Sequence, residues 1–133
     1  MNSKIISTIK IYTDGSLIKQ QVSNKTGSGI FISQNNCTIN QMALTLDCNS
    51  TVFQCEMFAI LKAAEWLNTN IEHETVYILS DSQAALAALQ KEYTKSSLVL
   101  NTIGELNKAS YTNNINLIKV PAHIGIAGNE LAD

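Results

Sequence analysis

Asp14, Glu56, Asp81 and Asp133 each stand where a carboxylate is costly without a counter-charge. Asp14 ends the alternating stretch Ile9-Lys10-Ile11-Tyr12-Thr13 and is followed by Gly15-Ser16. Glu56 lies three residues after Phe53 and four before Ile60, so a helix through this segment turns it toward their inward face. Asp81 follows the apolar run Val76-Tyr77-Ile78-Leu79-Ser80, and Asp133 follows Gly128-Asn129-Glu130-Leu131-Ala132. Carboxylates that converge out of water must be protonated, paired or bound to a cation. The donors are hard oxygens and no basic run lies near them, so Mg²⁺ or Mn²⁺ is the natural partner. Each acid also has an ordinary explanation. An Asp before Gly is often a turn former, and most helix glutamates face solvent. Asp81 or Ser82 could be a helix N-cap; Ser82 can fill that role and free Asp81.

The elements that must position these groups are legible from periodicity. Residues 5–13 alternate as a first strand, 27–29 read as a turn into Ile30-Phe31-Ile32, and 38–46 alternate again. Asn35-Asn36 suits a tight turn between the second and third strands. Phe53, Met57, Ile60, Ala64 and Leu67 recur at helical spacing through about residues 51–68, with Thr51 as a suitable N-cap. Residues 75–80 read as a short buried strand, 82–90 as an Ala-rich helix, and Leu98, Ile103, Leu106 and Ala109 as a further helical pattern. Residues 115–120 make the last strand, stopped by Pro121. The order βββαβαβ, with helices crossing between the later strands, requires parallel pairing there. The expected fold is an α/β domain with a mixed five-stranded sheet flanked by helices.

At 133 residues, with 45% hydrophobic and 15% charged side chains, the chain reads as one globular domain spanning 1–133. No apolar run approaches the roughly 20 residues of a membrane helix, and the N-terminus has no long apolar core of a signal peptide. Cys37, Cys48 and Cys55 are odd in number and without Cys-x-x-Cys spacing, which points to reduced thiols in an intracellular setting, cytoplasm or nucleus. The formal net charge is −2, and nine Lys with no Arg make up the basic complement. Composition alone therefore does not advertise nucleic-acid binding. Without Arg, bidentate guanidinium–phosphate contacts are excluded, and backbone amides, hydroxyls and Lys must serve.

Four blocks carry a resemblance: Tyr12-Thr13-Asp14-Gly15-Ser16, Gln54-Cys55-Glu56, Leu79-Ser80-Asp81-Ser82-Gln83-Ala84-Ala85-Leu86, and 120–133, reading VPAHIGIAGNELAD. In this order and at these gaps the sequence resembles the ribonuclease H type 1 family, most of all the RNase H domains of non-LTR (LINE-type) retrotransposons. The resemblance departs in three places. The family continues into a C-terminal helix that is missing after Asp133, the extra basic helix of bacterial members is replaced by residues 91–95, and Lys119 stands where Trp is common.

What the resemblance implies is an RNase H-like fold and a metal-dependent endonuclease that hydrolyses the RNA strand of RNA–DNA hybrids. Asp14, Glu56, Asp81 and Asp133 would be the metal ligands, holding two Mg²⁺ ions for which Mn²⁺ can substitute. The loop residue His123, whose near-neutral pKa suits proton transfer, would act beside them. Gly15 and Ser16 offer a sharp turn and a hydroxyl or amide for phosphate. Thr51 matches a position that contacts a DNA-strand phosphate, and Cys55 and Gln83 match the substrate groove, where 2′-hydroxyls are read. Glu130 is expected to be structural, and His73 a solvated loop residue. The partners implied are the RNA–DNA hybrid, no membrane, and a covalently linked reverse transcriptase domain, with the protein itself a monomer. The competing reading is a catalytically weak or inactive RNase H-fold module that binds nucleic acid.

Overall fold

The computed structural model describes residues 8–14, 27–45 and 51–121. Three antiparallel strands come first: β1 (Thr8–Asp14), β2 (Gly27–Gln34) and β3 (Cys37–Thr45). Helix α1 (Val52–Asn70) leads into β4 (Thr75–Ser80). Two helices, α2 (Gln83–Gln90) and α3 (Ser97–Thr112), then lead into β5 (Asn114–Lys119). The sheet order is β3-β2-β1-β4-β5, antiparallel from β1 outward through β2 to β3 and parallel from β1 through β4 to β5. This is the expected mixed five-stranded sheet. The last crossover consists of two separate helices, because Ser96 caps a new one: its hydroxyl accepts the Val99 amide at 3.2 Å.

Local sequence accounts for the elements. In β1 the apolar residues Ile9 and Ile11 point to one face and are buried, as period-two alternation demands. Asn35 and Asn36 both take positive φ, 54° and 66°, the conformation that a two-residue hairpin turn with right-twisted strands requires and that Asn tolerates best after Gly. Thr51 and Gln54 close α1 with a reciprocal capping box: the Thr51 hydroxyl accepts the Gln54 amide at 3.0 Å, and the Gln54 side chain accepts the Thr51 amide at 2.9 Å. The core lies between one sheet face and the helices, built from Ile9, Ile11, Ile30, Ile32, Met57, Ile60, Leu67, Val76, Ile78 and Val99.

One local expectation is corrected. Gly27, Ser28 and Gly29 are not a turn but the first residues of β2, paired with Thr45, Leu44 and Ala43 of β3. No glycine among the described residues takes positive φ, so these glycines do not turn the chain. Gly29 also pairs with Asp14 across β1, and the strand extends to Gly27 because the buried Ser28 hydroxyl finds an acceptor in the Cys55 carbonyl. The expected strand residues 5–7 and Leu46 lie outside the described residues.

Candidate active site

Parallel pairing sets the first two acids side by side. Thr13 of β1 is in register with Ser80 of β4, so Asp14 and Asp81 leave the carboxyl ends of neighbouring strands together. Carboxyl ends of parallel strands are where an α/β sheet gathers its functional groups. The Thr13 hydroxyl donates to the Leu79 carbonyl at 3.2 Å, which ties the two strand ends just before the acids. Beyond Asp81 the chain turns into α2, and Ser82, not Asp81, is the N-cap: its Oγ accepts the Ala85 amide at 3.0 Å. Asp81 is therefore released from capping.

Glu56 reaches the same place from α1. Its neighbours Cys55 and Met57 are fully buried, and Glu56 itself is half-buried on the edge of that face. Its carboxyl feels the charges of Asp81 and Asp14. Burial pushes the Glu56 carboxyl above the ordinary glutamate range; the charges of Asp81 and Asp14 and a hydrogen bond with Asp81 push the same way, while the Ser82 hydroxyl pulls it back. Three of the four predicted acids thus converge from β1, α1 and β4. As placed, no group of three His, Cys, Asp or Glu side chains among the described residues is gathered tightly enough to hold a metal ion. Their donor set of carboxylate oxygens fits a hard divalent cation in kind.

The other predicted positions divide. Thr51 is exposed at the start of α1, with its oxygen engaged in the cap and its proton still available as a donor. Cys55 is wholly buried and its carbonyl accepts the Ser28 hydroxyl, so as placed it presents nothing to a ligand, contrary to expectation. Gln83 is exposed in the first turn of α2, directly after the Ser82 cap. Gly15, Ser16, His123, Glu130 and Asp133 lie outside the described residues. His73 is exposed at φ 61°, with its amide donating to the Thr112 carbonyl at 2.7 Å at the other end of β4. Periodicity did not point to Ser28. A polar residue between two glycines at a strand start was the signal available.

The sequence model of the RNase H family matches residues 7–133, nearly the whole chain. The chain belongs to the RNase H family. Members of this family cleave nucleic acid, with RNA–DNA hybrid as the implied substrate, and they generally use divalent metal ions. In this RNase H domain the sheet order and the helices agree with that membership. No helix among its described residues is long and apolar enough to cross a membrane.

Proposed function

We propose that this RNase H domain is a metal-dependent endonuclease hydrolysing the RNA strand of RNA–DNA hybrids, and that it belongs to a non-LTR retroelement reverse transcriptase polyprotein. The observation that carries the chemistry is the convergence of Asp14, Glu56 and Asp81 at the carboxyl ends of β1 and β4. The retroelement assignment rests on the block from Leu79 to Leu86 and on the short 91–95 connection.

Two Mg²⁺ ions, or Mn²⁺ in their place, would be held by Asp14, Glu56, Asp81 and Asp133 and would supply an acidified water and charge neutralisation at the scissile phosphate. The protein's own groups do the rest. The strand ends and α1 fix the carboxylates before substrate arrives. Gly15 and Ser16 offer donors to a phosphate oxygen. The Thr51 hydroxyl donates to a phosphate of the DNA strand. The exposed Gln83 amide accepts from or donates to 2′-hydroxyls, the group that separates RNA from DNA. Water attacks phosphorus, the bond to the 3′ oxygen breaks, and His123 gives that oxygen its proton. With no base-reading element evident, cleavage is expected to depend little on sequence.

A second reading, a module that binds hybrid without cutting it, draws on the absence of a tight three-acid group among the described residues. A labelled RNA–DNA hybrid, with RNA–RNA and DNA–DNA controls, incubated in Mg²⁺, Mn²⁺ or chelator, separates the two. Cleavage of the hybrid's RNA strand alone, abolished by chelator, is the expected result. Binding without cleavage in either metal would overturn the nuclease reading in favour of the module.

A further inference from the structure

Period-two alternation puts Ser28 on the face of β2 that carries Ile30 and Ile32, and both of those side chains are core. An aliphatic residue would satisfy that position by burial alone. Ser28 is wholly buried and carries a hydroxyl there, which is unfavourable in such surroundings unless it is bonded. Its Oγ donates to the Cys55 carbonyl in α1. A helical carbonyl keeps a second lone pair beside the one its own turn uses, so the helix gives up nothing to accept it. Burial of apolar side chains sets no direction, whereas a hydrogen bond fixes both distance and angle. The residue fixed in this way is the one immediately before Glu56. The neighbour of Ser28 in β2, Gly29, pairs with Asp14 of β1, and the Thr13 hydroxyl holds β1 to the Leu79 carbonyl of β4 just before Asp81. These ties run in series from α1 through β2 and β1 to β4, and each ends beside one of the acids.

We propose that Ser28 is a positioning residue for Glu56: its hydroxyl, held on β2, seats the start of α1 so that the Glu56 carboxylate is delivered beside Asp14 and Asp81 before a divalent ion binds. This rests on the reading of Glu56 as a metal ligand. Misplacing a group at a reaction centre by about 1 Å can cost about 10²-fold, and outer partners of metal ligands typically carry about 10–100-fold in affinity or activity.

The test uses the 133-residue chain with Ser28→Ala, which removes the hydroxyl and fits wherever serine fits, and Ser28→Thr, which keeps it in a side chain that strands favour. Ile32→Val, on the same face of β2 but paired with Ile11 rather than with an acid, is the control for lost core stability alone. Mn²⁺ binding by calorimetry is read alongside hybrid cleavage and melting temperature in chelator. Ser28→Ala and Ile32→Val are both expected to melt below the parent. Only Ser28→Ala is expected to weaken Mn²⁺ binding and lower kcat, each by about tenfold, with KM for the hybrid little changed. Ser28→Thr restores both. If Ser28→Ala binds Mn²⁺ as tightly as Ile32→Val, or if a stably folded Ser28→Thr binds it as weakly as Ser28→Ala, the hydroxyl is only a core hydrogen bond and the proposal fails. Should the Thr methyl unfold that variant, the comparison of Ser28→Ala with Ile32→Val decides alone. A parent protein that binds no Mn²⁺ would remove Glu56 as a ligand and overturn the proposal with it. A parent that binds Mn²⁺ but cuts nothing would overturn the nuclease reading, and the calorimetric midpoints would still decide the role of Ser28.

Discussion

Glu56 is under two opposed demands. In the metal-free protein, burial and the charges of Asp81 and Asp14 favour its protonated form, whereas a metal needs the anion. Its folded pKa stands above the ordinary value of 4.5, so between those two pH values the native protein keeps a proton that the unfolded chain has released. Stability on this account falls as pH rises through that window and is greatest below it. Glu56→Gln cannot ionise, so in chelator it should melt higher than the parent near neutral pH, with the gain shrinking toward pH 4 or so. Melting curves across that range decide this; a gain that does not change with pH would contradict the account. With Mn²⁺ added, the order should invert, because only the parent gains a ligand's binding energy. Asp14→Asn and Asp81→Asn should likewise abolish hybrid cleavage while the fold persists. Near-normal, metal-dependent activity in purified Asp14→Asn would sink the proposed site. His123→Ala should slow turnover by about 10²–10⁴-fold without eliminating it, since water substitutes in part for a positioned proton donor. Unchanged rates across the pH profile would make that histidine a bystander.

Among the elements, the end of the sheet away from the acids is tied by one side chain. Asn113 caps α3 and is buried; it accepts the Glu74 amide at 2.9 Å and donates to the Ile71 carbonyl at 3.2 Å and the Ala109 carbonyl at 3.3 Å. It therefore locks the α1–β4 connection to the α3–β5 connection. Asn113→Ala should cost about 2–3 kcal/mol, more than an ordinary cap, because it leaves buried backbone groups unpaired. Denaturant unfolding should show the lower midpoint, and cleavage per folded molecule should be unaffected because the site lies at the opposite end of β4. A loss below half a kcal/mol or so would mean that water replaces the amide. Asn113 shows where sequence reading stops. The segment around it was legible as a helix end, since Asn is a common breaker, but two of its partners, Glu74 and Ile71, lie 39 and 42 residues away and periodicity carries no such information. β4 was legible to the residue because an apolar run between polar turns has few alternatives. Gly27 to Gly29 were misread as a turn because Gly signals either, and only pairing with β3 and Asp14 decides. At the site, the acids were legible because a carboxylate among apolar neighbours breaks the pattern. Ser28 was not, because a serine breaks no pattern and its role depends on which group folds against it.

As a whole molecule, this domain meets a polyanion with little positive charge. Its formal net charge is −2, and nine lysines without arginine are its cations. One of them, Lys62, is engaged with Glu65 at 3.0 Å and lies over the Phe58 ring. Exposed Lys119 ends β5 in register with Ser80, at the sheet end that carries the acids, so strand pairing sets this cation beside the site. A hybrid touching two or three lysines at once releases few counterions. The logarithm of its affinity should fall against the logarithm of salt with a slope of about −2 to −3, since each neutralised phosphate contributes roughly −0.9. Anisotropy of a labelled hybrid, titrated with the Asp14→Asn protein at several salt concentrations, measures this without cleavage. Lys119→Ala should flatten the slope by about one unit and weaken binding alike for every sequence. Divalent metal should strengthen binding of the parent chain more than that of Asp14→Asn, because the clustered acids repel phosphate until an ion neutralises them. A slope steeper than about −6, or tight binding that survives high salt, would require a basic surface that nine scattered lysines do not make. Either result would contradict a weak, lysine-only grip on the hybrid.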